Sequence, residues 1–231
     1  MTLIQVVDSA RAILNEPLDS SRTFPDNSSS FWTDAILTTY ANLVQEEVQQ
    51  EIMVTFENYF VTQARLNISA NVAAYSLPAN FIKMVRLEDI RNSASIEIIP
   101  VTINDKQEHV TNFISGVSYG NSYYLVGNRV ILTDTPTFTD SSAYQLHYEK
   151  KITDLATASD VSEIPLEHHG VLVWGVVKYA MYQQQSDATF AQLEFQKRMD
   201  KLKDYAENRQ VQRSRKVKSK MGDYMPHSGV L

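Results

Sequence analysis

His168 and His169 stand side by side just after Glu163 and Glu167, and imidazoles beside carboxylates are the side chains that hold divalent metals. Neighbours on a helix point about 100° apart, so the two rings do not chelate one ion together. The pair reads as the solvent-facing start of a helix. His109, His147 and His227 are isolated and carry no ligand spacing. Glu46, Glu47 and Glu51 have the chemistry for acid–base work, but carboxylates bunched on a helix describe a solvated face. Tyr119, Tyr123 and Tyr124 have the rings for stacking nucleic-acid bases. Only Arg129 is near them, so strand packing or a protein interface is the better reading. There is no cysteine, which removes thiolate ligands, disulfides and cysteine nucleophiles. A glycine-rich phosphate loop and a nucleophile elbow are both missing, and 7 glycines leave little to build one from. The sequence therefore predicts no catalytic residue, no cofactor and no metal.

The elements that carry these residues follow from the periodicity of apolar side chains. Leu3, Val6, Val7, Ala10 and Leu14 predict a short amphipathic helix, closed by Pro17. A polar loop follows over 17–30. Thr33 is placed to cap a long helix over about 33–57, with Leu37, Tyr40, Val44, Val48, Ile52 and Phe56 on one face. Alternation then changes to period two. Strands are expected at 59–62, around 66–68, at 81–88, 95–99, 123–126, 129–132 and 144–149. Gly127-Asn128 accepts the positive φ of a tight hairpin. Pro165 opens an apolar helix to about Gln185, and a second helix over 188–210 puts Glu194 one turn from Arg198. The expected fold class is α+β: a helical bundle, made of the long N-terminal helix and a C-terminal helical hairpin, with an inserted small antiparallel β region and an extended C-terminal arm. One domain spans 1–210, helical over 1–57 and 165–210 with its β region at 58–155, and the arm occupies 211–231.

A length of 231 residues with 43% hydrophobic and 10% aromatic content can bury a real core. No run reaches the roughly 18 apolar residues of a membrane span, so no membrane is expected as a partner. No signal peptide is expected at the N-terminus either. Charge is uneven. The net −6 divides into +5 on 209–231 and −11 on 1–208. The basic stretch, Arg209, Arg213, Arg215, Lys216, Lys218 and Lys220, has three readings: a docking arm, a contact to DNA phosphates, or a solvated terminus. Val211, Val217, Met221, Tyr224 and Met225 favour the docking arm, because a purely electrostatic tail needs no apolar anchors. A nucleic-acid-binding module acting through this tail is the alternative.

Four segments in order carry a resemblance: Phe31-Trp32-Thr33-Asp34-Ala35-Ile36-Leu37 with Tyr40-Ala41-Asn42; Tyr75-Ser76-Leu77-Pro78-Ala79-Asn80-Phe81; Gly127-Asn128-Arg129-Val130-Ile131-Leu132 before Pro136; and Tyr148 to Leu155 followed by Ile164-Pro165, Tyr179 and Tyr182. Over about 31–210 the chain resembles the head-to-tail adaptors of tailed bacteriophages, also called head-completion or tail accessory factors, which bind below the portal. The resemblance implies a virion structural protein without enzyme activity, made in the host cytoplasm and placed at the head–tail interface. It implies a homo-oligomeric ring of about twelve copies that matches the portal's symmetry. The ring would extend the DNA channel and hold the tail. Its implied partners are the portal protein, tail or nozzle proteins, and DNA that passes without specific binding. The portal-docking arm would be Arg209, Arg213, Arg215, Lys216, Val217, Lys218, Lys220, Met221, Tyr224 and Met225. Phe31, Trp32, Trp174, Tyr179 and Tyr182 are the candidates for subunit contacts, and the hairpin at 165–208 would be the ring-building scaffold. Some relatives degrade peptidoglycan, but no residues here match that motif.

Overall fold

The computed structural model of the chain describes residues 1–16, 23–26, 31–56, 58–91, 95–104 and 122–209. The order of elements is α1 (Leu3–Ile13), α2 (Asp34–Thr55), β1 (Val61–Ile68), β2 (Ala74–Ser76), β3 (Phe81–Asp89), β4 (Ile96–Pro100), β5 (Ser122–Val126), β6 (Arg129–Leu132), β7 (Asp140–Lys150), α3 (Gly170–Gln183) and α4 (Thr189–Arg209), with a 3-10 turn at Leu166–His168 before α3. Thr33 caps α2 as expected, its Oγ1 accepting the amide of Ile36 at 3.3 Å.

The expected architecture of a helical bundle with an inserted small antiparallel β region does not hold. Among the described residues the strands form one seven-stranded sheet in the order β1-β7-β3-β4-β5-β6-β2. Its two end strands, β1 and β2, meet, so the sheet curls into a nearly closed barrel beside the four helices of the described residues. Nor is it purely antiparallel, because β4 and β5 run parallel. The correction has a physical cause. Local alternation marks the apolar middle of a strand, whereas backbone pairing extends it: β7 runs over 11 residues because β1 and β3 pair along both its edges. Register shifts between Leu66 and Ile68 in β1, and at two places where β3 meets β7, supply the bulges that bend a sheet toward closure. The expected extended arm lies outside the described residues.

Each half has its own core. Val44, Val48 and Ile52 of α2 pack with Leu3 and Val7 of α1, Val171, Leu172 and Val176 of α3, and Phe195, Met199 and Leu202 of α4. In the barrel, Leu66, Ile68, Tyr75, Leu87, Ile98, Val130, Leu132, Tyr144 and Leu146 point inward from alternate positions. The Tyr75-to-Phe81 segment serves this second core. Tyr75 and Leu77 are buried in it. The hydroxyl of Tyr148 donates to Asn80 Oδ1 at 3.0 Å, and Phe81 stacks on the Tyr148 ring at 5.7 Å. At Gly127, φ is +55°, the left-handed value that the β5–β6 turn requires.

Candidate interaction surface

The two halves are joined along α2 by carboxamides. Asn42, Gln45 and Gln49 lie three and four residues apart, on one flank of the helix, against the extended chain that leaves β7. Asn42 Nδ2 donates to the carbonyl of Leu155 at 3.0 Å, and its Oδ1 accepts the Leu155 amide at 2.8 Å. Gln45 Nε2 donates to Thr153 O at 2.8 Å. Gln49 repeats the two-way contact, donating to Lys150 O at 2.7 Å and accepting from the Ile152 amide at 3.0 Å. A primary amide offers the same donor and acceptor as a peptide group, so the helix serves the segment as a partner strand would. The sequence signal for this ladder is the set of three carboxamides at helical spacing, which lies off the apolar stripe that marks α2.

Glu46, Glu47 and Glu51 are half-buried and paired, not a merely solvated face. Glu46 meets Lys151 at 2.5 Å, Glu47 meets Lys178 at 3.0 Å, and Glu51 meets Lys203 at 2.7 Å. The segment after β7, α3 and α4 are thus each fastened to α2 through one of these carboxylates. Lys178, 7% exposed, also lies over the Phe195 ring at 3.9 Å. At the end of β7, Lys150 pairs with Glu163 at 2.6 Å. Burial works against the Glu163 charge, but hydrogen bonds from Lys150 and Thr153 and the Lys150 charge hold its carboxyl below the usual range.

The histidine pair is not a solvent-facing helix start either. His169 is 1% exposed. Its Nε2 lies 2.8 Å from the carbonyl of Ile164, so that nitrogen donates, and Nδ1 lies 2.7 Å from the Met1 ammonium and accepts. Burial lowers its pKa, against the effect of the Ile164 hydrogen bond, and the Met1 charge lowers it further. His168 lies against the Tyr205 ring. His147 reaches Glu88 at 3.1 Å. Among the described residues no group of three or more His, Cys, Asp or Glu is placed to hold a metal. Tyr123 and Tyr124 are buried, in line with strand packing; Tyr119, His109 and His227 lie outside the described residues.

The residues singled out for subunit contacts divide by exposure. Trp32 is 3% exposed and packs within the subunit, between Phe31 and Tyr40. Tyr179 is half-buried, stacked on Tyr40 and bonded to Glu47. Trp174 is half-buried, with the Phe190 ring edge-on at 5.5 Å. Phe31 and Tyr182 remain exposed. Sequence reasoning missed Phe190 and Leu193, which are 66% and 64% exposed at the start of α4. It also missed a groove of about 710 Å³ between the last turns of α2 and the start of β3, where Met53, Val54, Phe81 and Ile82 form the apolar part. Of the basic stretch, Arg209 ends α4, and the residues from 210 onward lie outside the described residues.

The surface therefore offers apolar knobs and a groove, while the polar clusters inside the subunit are spent on holding it together. No helix among the described residues is long and apolar enough to cross a membrane. No curated protein matches the chain. One family model does match, that of the SU10 adaptor protein, over residues 1–218. That span takes in the bundle, the barrel and the joint between them, so the chain belongs to the SU10 adaptor protein family and is a structural adaptor of a phage virion, made to contact other head or tail proteins.

Proposed function

We propose that the subunit assembles into a ring beneath the portal, about twelve copies around one axis, which extends the DNA channel and holds the tail. The observation that carries this reading is the family match, which spans 1–218 and so takes in most of the basic stretch. In this reading Arg209 to Leu231 is the portal-docking arm, with Val217, Met221, Tyr224 and Met225 as its apolar anchors. The rest of the chain, at net −11, would give the channel wall little grip on passing phosphates. Such an assembly needs broad contact and no chemistry, since weak contacts repeated around a ring add up through multivalency.

The test is the native mass of the purified protein, alone and mixed with its cognate portal, for the full chain and for a chain ending at Asn208. Ala206 is the last residue of α4 in the core, so the shorter chain keeps the described packing. Stoichiometric ring formation on the portal by the full chain, lost in the truncated one, is expected. If neither form binds portal and the full chain shifts DNA with a steep salt dependence, the nucleic-acid reading replaces this one.

A further inference from the structure

The first part of β3 has an open edge. β7 pairs with β3 from Phe81 onward, whereas β4 joins its other side only at Leu87–Asp89. Among the described residues no strand lies beside that edge over Phe81–Arg86. An unpaired edge is a template for any extended segment, and proteins cover or charge such edges. This one carries Ile82 and Val85, 44% and 43% exposed. The groove adjoins it, with Met53 and the 84% exposed Val54 of α2 along its helical side.

The bundle brings the C-terminal end of α4 to the same place. Tyr40, near the start of α2, bonds Gln183 at the end of α3, so α4 begins at the Asp34 end of α2. Lys203, late in α4, pairs with Glu51, late in α2, so α4 runs parallel to α2 and ends beside its last turns. Gln50, next to Glu51, lines the groove. The chain therefore leaves α4 about one helix width, about 10–12 Å, from the groove. Residues 210–231 follow, and the seven steps from Arg209 to Lys216 can span about 23 Å. There the sequence reads Lys216-Val217-Lys218-Ser219-Lys220-Met221 before Gly222. At a period of two its lysines fall on one face and Val217, Ser219 and Met221 on the other, the pattern of a lysine-faced edge strand. Its length equals that of the open stretch Phe81–Arg86. Tethering holds this run at about millimolar effective concentration beside its own groove, far above that of other copies in dilute solution.

We propose that in the free subunit residues 216–221 add to the Phe81–Arg86 edge of their own chain as an extra strand, with Val217 and Met221 turned into the groove. Main-chain hydrogen bonds along the edge supply the affinity of such an added strand, and the alternate side chains supply its register. The portal must then draw the arm out before it can hold it, because both sites use the same apolar anchors. This proposal rests on the reading of Arg209 to Leu231 as the portal-docking arm, and it gives that arm a resting place.

The resting contact is tested first without the portal. Hydrogen exchange at the edge-facing amides of Phe81–Arg86 should be slower by about tenfold or more in the full chain than in the chain ending at Asn208. The chain has no cysteine, so a cross-link identifies the occupant. Gln50→Cys and Ser219→Cys, which leave the apolar groups of groove and arm in place, are made singly and together in the full chain. Each is treated at micromolar concentration with a short, reducible bis-thiol reagent. The double variant should become an internally linked monomer that does not assemble on the portal until reductant frees the arm. Equal exchange in the two chains, with no internal link, overturns the proposal and leaves the ring reading to its native-mass test. Dimers from a mixture of the two single variants would put the arm on a second copy and overturn it as well. A linked monomer that still assembles on the portal at full stoichiometry would mean that the arm is not what docks, and the docking reading falls together with this one.

Discussion

An added Cβ at Gly175 would stand 2.4 Å from Cγ1 and 2.6 Å from Cγ2 of Val44. Valine is stiff about χ1 and cannot swing aside. Gly175→Ala should therefore lower stability by about 1–3 kcal/mol in urea unfolding, despite alanine's higher helix propensity. Val44→Ala in the same chain should return part of that loss, and a double-mutant cycle reads the coupling. His169 sets a pH dependence of known sign. Its folded pKa lies below the ordinary 6.5, so the unfolded chain binds the proton more readily. Its contribution is complete above that ordinary value and is lost as pH falls toward the folded one. The urea midpoint should drop on acidification below pH 6.5, and His169→Gln should reduce the slope without abolishing it, because His168 is shifted the same way. Contacts between near neighbours were legible in the sequence. The Thr33 cap and the Glu194–Arg198 pair, 3.7 Å apart, are both present. The burial of His169 was not legible, since Met1 and the Ile164 carbonyl enclose it and only folding brings Met1 there.

At the scale of elements, the helices stood out because each carries its signal within itself. The predicted spans 33–57, 165–185 and 188–210 correspond to Asp34–Thr55, Gly170–Gln183 with its preceding 3-10 turn, and Thr189–Arg209. Strands were found but undersized. Two short predicted runs are one strand, Val61–Ile68, and Ala74–Ser76 was missed because three residues are too few to show alternation. What turned a supposed insert into a barrel is pairing between strands distant in sequence, above all Val61–Glu149 and Leu87–Leu146, which no local window contains. The β5–β6 hairpin was read correctly from Gly127-Asn128, and Gly127→Val should cost about 1–2 kcal/mol, seen as a lower thermal midpoint. The carboxamide ladder makes a sharper prediction. Gln49→Leu leaves the Lys150 carbonyl and the Ile152 amide without their partner. A loss of about 2 kcal/mol or more is expected in denaturant unfolding. Gln49→Glu should be intermediate, because its carboxylate still accepts from Ile152 but cannot donate to Lys150.

Across the whole molecule, the segment that leaves β7 carries the chain from the barrel into the bundle core, where Ile152 and Leu155 are buried, and the α2 carboxamides hold it there. Replacing Asn42, Gln45 and Gln49 together with alanine should separate the melting of bundle and barrel, so that calorimetry records two transitions where the unmodified chain gives one. A single transition at a lower midpoint would mean that the cores are coupled elsewhere. The direction in which the joint is loaded decides its strength. Its five hydrogen bonds lie across the α2 axis, one after another along the overlap between the helix and Lys150–Leu155. A pull that slides barrel against bundle along that axis strains all five in shear at once, and they yield together. A pull that lifts the segment away from the helix opens them singly from one end, like a zip. Each subunit is in that sense a lap joint, stiff against thrust along α2 and weak against peeling.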